Sequence, residues 1–223
     1  MENIELAVKE LLGANDGHGY DHVDRVRKLA IKFAKQEDAD IEIVELASLL
    51  HDVDDYKLFG EECAKNLLNA RKILETNNVD EKMASLVLDI IQTMGYSKSL
   101  EGIRPTTLEG QIVSDADMCD AIGAEGILRT HAYNLSRGNI FFDKTAKPLD
   151  VELSAEQYKK TSNHSVQHFF DKLLIINNVL MTAAGKEEGA KRQKIMVDFL
   201  RELFREEGAE VWQAYLSNFL ARQ

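Results

Sequence analysis

Proline occurs only twice in 223 residues, at Pro105 and Pro148, so long stretches carry no helix breaker. Cysteine is as scarce: Cys63 and Cys119 are too few for a disulfide framework and have no CxxC spacing. That usage fits a reducing compartment, and a cytoplasmic location is expected. No apolar run approaches the ~18 residues of a membrane span, and the N-terminus lacks a basic start followed by an apolar stretch. A membrane-spanning segment and a secretory signal are therefore not expected. Basic residues are the minority, 27 against 38 acidic ones for a net charge of −11, which argues against polymeric nucleic acid as the main partner. The balance does not exclude a small phosphorylated substrate, because a few cations in a cleft outweigh a distant negative surface. Glycine-rich phosphate loops, internal repeats and low-complexity tracts are also missing.

What is present is helical periodicity. At about 100–200 residues per domain the length allows one domain or two small ones, and a single all-α domain over residues 1–223 is the reading adopted. Val23, Val26, Ala30 and Phe33 make the stripe of a helix from about Asp21 to Lys35. Asp40 is a candidate N-cap for a second helix, striped by Ile43, Leu46, Ala47 and Leu50 and reaching His51. Residues 53–59 read as an irregular acidic segment, and 61–74 as helical again. Asp80 is positioned to cap a helix that Gly95 ends. Thr106 and Glu109 have the spacing of a capping box for a helix through 115–124, whose small residues suit a central position. The polar stretch of about 143–163, with Ser154 and Gln157 as a further cap pair, reads as a lid-like loop. Residues 166–181 and 186–220 read as two terminal helices, with Phe199, Leu203, Phe204, Trp212 and Phe219 supplying core.

Chemistry-bearing residues stand at wide spacing: His22, then His51–Asp52, then Asp115 and Asp117. Imidazole and carboxylate together suit a divalent cation, and two of each leave a 2+ ion formally neutral. A lone histidine on a helix is more often a packed or surface residue than a ligand. The His51–Asp52 pair is less ordinary, because ionisable groups directly after a buried stripe are costly unless paired or metal-bound. Asp115 and Asp117 lie about 200° apart around a helix, so only one of them faces a given ion.

The pattern resembles the HD-domain superfamily of metal-dependent phosphohydrolases, whose signature is a His, a distant His-Asp pair and a later Asp. The runs Gly17-His18-Gly19-Tyr20-Asp21-His22, His51-Asp52-Val53-Asp54-Asp55-Tyr56-Lys57, Ser114-Asp115-Ala116-Asp117-Met118-Cys119-Asp120 and His168-Phe169-Phe170-Asp171-Lys172 are similar to a bacterial subfamily that contains nucleotide pyrophosphohydrolases. The resemblance implies an all-α helical bundle with the metal at its centre: an HD core over about 17–130 and additional C-terminal helices over about 165–221. It implies His22, His51, Asp52 and Asp117 as ligands, since the family presents its last ligand as Ala-Asp, which leaves Asp115 structural. Dinuclear members take extra histidines from the interval between the HD pair and the last Asp. Here that interval holds none, which implies one divalent metal ion, with Mn preferred over Mg, Co, Ni, Fe or Zn.

Position suggests further roles. Arg25, three residues after His22, is a candidate for the substrate phosphates, against a reading as a solvated helix charge. Asp55 is a candidate general acid or base, with Asp54 as a rival, and Lys57 a candidate partner of a leaving phosphate. His18 and Lys172 are candidate substrate contacts, and Arg192 a weaker one. Asp21 and Met118-Cys119 depart from the family's usual residues without removing a ligand. The expected activity is hydrolysis of a (deoxy)nucleoside triphosphate to monophosphate and pyrophosphate. The alternatives are a nucleotide phosphomonoesterase, a non-catalytic nucleotide-binding module and a helical structural protein with packed histidines. A small phosphorylated substrate is the expected partner, polymeric nucleic acid and a membrane are not, and homodimer formation stays open.

Overall fold

The computed structural model describes residues 1–13, 19–149 and 164–223. These residues are helical with no strand among them, one isolated backbone bridge between Ile140 and His164 apart. The all-α expectation holds. The chain divides into two compact units, residues 1–120 with 181–186, and residues 121–180 with 187–223. No described helix is long and apolar enough to cross a membrane.

The first unit carries α1 (Glu2–Leu12), α2 (Tyr20–Glu37), α3 (Ile41–Leu50), α4 (Tyr56–Phe59), α5 (Glu61–Asn66), α6 (Leu68–Thr76), α7 (Glu81–Thr93), α8 (Tyr96–Leu100) and α9 (Leu108–Asp120). Helix α2 buries the expected stripe of Val23, Val26, Ala30 and Phe33. Helix α3 starts where Asp40 accepts the backbone N–H groups of Glu42 (2.9 Å) and Ile43 (3.2 Å), which satisfies donors that a helix start leaves open. Asp80 serves α7 in the same way, accepting from Lys82 and Met83. Helix α9 packs against α2, α3 and α7 and is buried on nearly every side, as its small residues suggest. Arg27 ties α1, α2 and α3 together through Glu5 and Glu45.

Three local expectations are corrected. The stretch 61–74 is not one helix: Leu67 adopts a left-handed backbone (φ 51°) with its side chain buried, and α6 restarts from it. The new start is capped from a distance, since the Asp54 carboxylate accepts the N–H groups of Asn69 (2.8 Å) and Ala70 (2.9 Å). Thr107, not Thr106, serves the first turn of α9, its hydroxyl accepting from Gly110 N–H at 3.1 Å. Glu109 instead reaches the backbone N–H of Asp40. Finally, α9 stops at Asp120, and the chain is extended at Ile122.

The second unit carries α10 (Gly123–Leu135), α11 (Ser165–Asp171), a 3-10 helix (Leu173–Val179), most of α12 (Ala183–Glu206) and α13 (Glu210–Ala221). The two expected terminal helices are thus subdivided. One tightens into 3-10 geometry after Asp171, and the other breaks at Gly208, whose φ of 61° a side chain tolerates poorly. Phe204 and Trp212 are fully buried and pack with Phe142, Phe170 and Tyr215 as an aromatic cluster. The expected lid-like loop is described only as far as 149, where Gln167 bonds the backbone of Leu149 and Trp212 donates to Ala146. Its remainder, with Ser154 and Gln157, lies outside the described residues.

Candidate metal centre

Three elements of the first unit converge on one point. The first turn of α2 presents His22, the turn leaving α3 presents His51 and Asp52, and α9 presents Asp117 and Asp120. His22 and His51 are buried, Asp52 nearly so, and Asp117 keeps 27% of its side chain exposed, so solvent reaches the cluster through its carboxylates. The Nε2 atoms of the two histidines are 3.2 Å apart. His22 Nε2 lies 3.6 Å from an Asp52 oxygen and 3.4 Å from Asp117 Oδ1. His51 Nε2 lies 3.8 Å and 3.9 Å from the same two carboxylates.

Both rings are oriented by acceptors behind them. His51 Nδ1 donates to the carbonyl of Ser48 at 2.7 Å, and His22 Nδ1 to Asp120 Oδ2 at 2.7 Å. In its neutral form each ring, so oriented, turns an Nε2 lone pair toward the other, and a proton or a cation between them relieves the repulsion at 3.2 Å. Burial alone would lower the His22 pKa. Hydrogen bonds to Asp117 and Asp120 and the charge of Asp52 outweigh it and raise it to about 9. Burial likewise favours protonated Asp117 and Asp120, yet His22, with His51 at Asp117 and Arg25 at Asp120, holds both carboxyls below the usual range.

The donor set fits a divalent cation. Ligand atoms at about 2.1 Å from an ion are separated by about 3.0–4.2 Å in tetrahedral or octahedral arrangements; the two Nε2 atoms, each Nε2 with Asp117 Oδ1, and each Nε2 with one or the other oxygen of Asp52 fall inside that interval. His22, His51 and Asp52 form a cluster able to hold such an ion, and Asp117 Oδ1 faces both imidazoles.

Other candidates are placed variously. Asp115 points away from the cluster's ligands: its carboxylate accepts the N–H groups of Met181 (3.0 Å) and Thr182 (2.7 Å) and the Thr182 hydroxyl (2.7 Å), at the start of α12. Asp54 is buried and engaged as the cap of α6, with the Cys63 thiol donating to it as well. Asp55 is less enclosed: it caps the short α4 by accepting Lys57 N–H, and its own N–H donates to the Asp52 carbonyl. The Lys57 side chain is exposed above the Tyr56 ring. Arg25 forms a two-pronged contact with Asp120, Nε to Oδ1 at 2.8 Å and Nη2 to Oδ2 at 3.0 Å. Lys172 follows α11 in the second unit, where Arg192 pairs with Glu188. His18 lies outside the described residues. Sequence reasoning gave Asp120 no task and took Asp54 as a catalytic rival. The three-residue step from Asp117 was the available signal for Asp120, whereas nothing local announces a cap for a helix fourteen residues ahead.

Residues 19–122 match the HD domain family. The chain is similar to the uncharacterized protein YpgQ of Bacillus subtilis, 31% identical over 204 residues that span 91% of each chain. A crystal structure of YpgQ in complex with ADP aligns at 27% identity and a TM-score of 0.68 over 92% of this chain and 93% of that one. An HD-superfamily hydrolase from Bacillus thuringiensis aligns at 33% identity and a TM-score of 0.73, covering 93% and 96%. A Lactobacillus plantarum protein reaches a TM-score of 0.78 at 31% identity, covering 92% and 95%. The chain belongs to the HD-domain superfamily and is a metal-dependent phosphohydrolase.

Proposed function

We propose that the chain hydrolyses a nucleoside triphosphate or its deoxy form between the α and β phosphates: the triphosphate and water give the monophosphate and pyrophosphate. The observation that carries this reading is the convergence of two carboxylates on two Nε2 atoms, each carboxylate within 3.9 Å of both nitrogens, in a chain whose relative YpgQ crystallises with ADP. A cation held by His22, His51, Asp52 and Asp117, with manganese preferred, would supply Lewis-acid polarisation of a phosphoryl oxygen and acidify a water. Asp55, one turn from Asp52, takes the proton of the attacking water or returns it to the leaving group. Lys57 neutralises the departing phosphate. The protein works in the cytoplasm on a small molecule.

The test is product analysis with purified protein, Mn²⁺ or Mg²⁺, and a panel of nucleoside mono-, di- and triphosphates. Equal amounts of monophosphate and pyrophosphate from a triphosphate are expected, faster with Mn²⁺. Inorganic phosphate and nucleoside from a monophosphate would replace the proposal with a phosphomonoesterase. Nucleotide binding without turnover would make the chain a binding module.

A further inference from the structure

We propose that Asp120 is a positioning residue that fixes the tautomer of His22, and that Arg25 acts through Asp120 rather than on substrate. The inference rests on His22 being a metal ligand. A neutral imidazole offers one lone pair, and only the form with hydrogen on Nδ1 directs it from Nε2 toward Asp52 and Asp117. An ionised carboxylate only accepts, so Asp120 Oδ2, at 2.7 Å from Nδ1, selects that form. His51 receives the same instruction from the Ser48 carbonyl, an acceptor that backbone geometry fixes. A side-chain carboxylate must itself be held. Asp120 is 2% exposed, and Arg25 grips both of its oxygens, Nε on Oδ1 at 2.8 Å and Nη2 on Oδ2 at 3.0 Å. The three residues form a chain: Arg25 fixes Asp120, Asp120 fixes His22, and His22 presents Nε2.

The same contacts say what substitution does. In Asp120→Asn one oxygen becomes an NH2 group. Turned toward His22, it stabilises the tautomer with hydrogen on Nε2, which points a hydrogen at the ion. Turned the other way, it opposes the Nε–H of Arg25. Arg25→Met keeps an apolar stem and removes both donors.

The experiment measures Mn²⁺ affinity of the full chain by the electron paramagnetic resonance of free Mn²⁺, for the natural protein, Asp120→Asn and Arg25→Met. Folding is checked by circular dichroism. Loss of about 10–100-fold in affinity is expected for Asp120→Asn. Charge removal alone would also weaken binding there, so Arg25→Met decides between the causes. Loss of a nearby positive charge tightens cation binding, whereas loss of the grip on Asp120 loosens it by roughly threefold or more. A second readout is the ¹⁵N spectrum of the Zn²⁺-loaded protein: the His22 Nδ1–H signal should disappear in Asp120→Asn while that of His51 stays. Arg25→Met binding Mn²⁺ as well as or better than the natural protein overturns the proposal, and it does so even if Asp120→Asn fails to fold. If the natural protein itself binds no Mn²⁺, the ligand assignment fails instead, which is a separate and visible result.

Discussion

His22 and His51 meet edge to face with their Nε2 atoms 3.2 Å apart and both Nδ1 hydrogens already donated elsewhere. Asp52 lies within 3.8 Å of both rings. Asp52→Ala should therefore empty the site without unfolding the chain. Elemental analysis is expected to show metal per chain falling to near zero, with activity lost and far-ultraviolet circular dichroism unchanged. Full metal content in this variant would contradict the assignment.

Asp115 and Asp117 are two residues apart and have opposite tasks. Asp115→Asn puts an amide hydrogen against the donors of Met181 and Thr182, a loss of about 2 kcal/mol, or roughly 4–8 °C in Tm, with metal retained. Gly185→Ala should act at the same place, because an added Cβ would sit 2.3 Å from Asp115 Oδ2. Asp117→Asn should lower metal retention and leave Tm nearly unchanged. Calorimetry and metal analysis on the three variants check the split, and the reverse order would exchange the roles of the two aspartates.

Asp54 and Asp55 separate in the same manner. Asp54→Ala leaves the first turn of α6 and the Cys63 thiol without their acceptor, at a cost of about 1–3 kcal/mol in denaturant unfolding. Asp55→Asn retains a side chain able to cap α4, so stability and metal content should hold while turnover falls about 100-fold or more. Unchanged turnover would remove Asp55 from the mechanism.

Asp171 gives a pH-dependent prediction. Burial raises its pKa from 3.8 to about 6, and a hydrogen bond from Gln167 only partly opposes the shift. A carboxyl raised in the folded state binds its proton more tightly there than in the unfolded chain. Its contribution is therefore favourable at low pH and is lost as pH rises from 3.8 through 6. Asp171→Asn mimics the protonated form. Its Tm should exceed that of the natural protein above pH 6, and the difference should vanish below about pH 3.8. A constant difference across that range would show that the charge is not the cause.

Much of the helical frame was legible because periodicity and caps are local. The stripe of α2 and the capping carboxylates Asp40 and Asp80 are read within a few residues of where they act. The break at Leu67 was not, since no glycine or proline marks it and the compensating acceptor, Asp54, comes from a distant turn. For the same reason the pairing of Asp120 with His22 and Arg25, which spans more than ninety positions, had no local signature. The candidate ligands were legible only as a pattern shared with a family, and their mutual distances required the folded chain.

Helix α9 carries an anchor on one side and the cluster's carboxylates on the other. Asp117 and Asp120 differ by only about 60° in direction, whereas Asp115 lies about 200° from Asp117. One residue inserted or deleted between positions 115 and 120 would rotate the C-terminal part of the helix by about 100° and break one allegiance or the other. Length variation in this fold should therefore fall in the connections on either side and spare this six-residue stretch, even in lineages whose substrates have diverged.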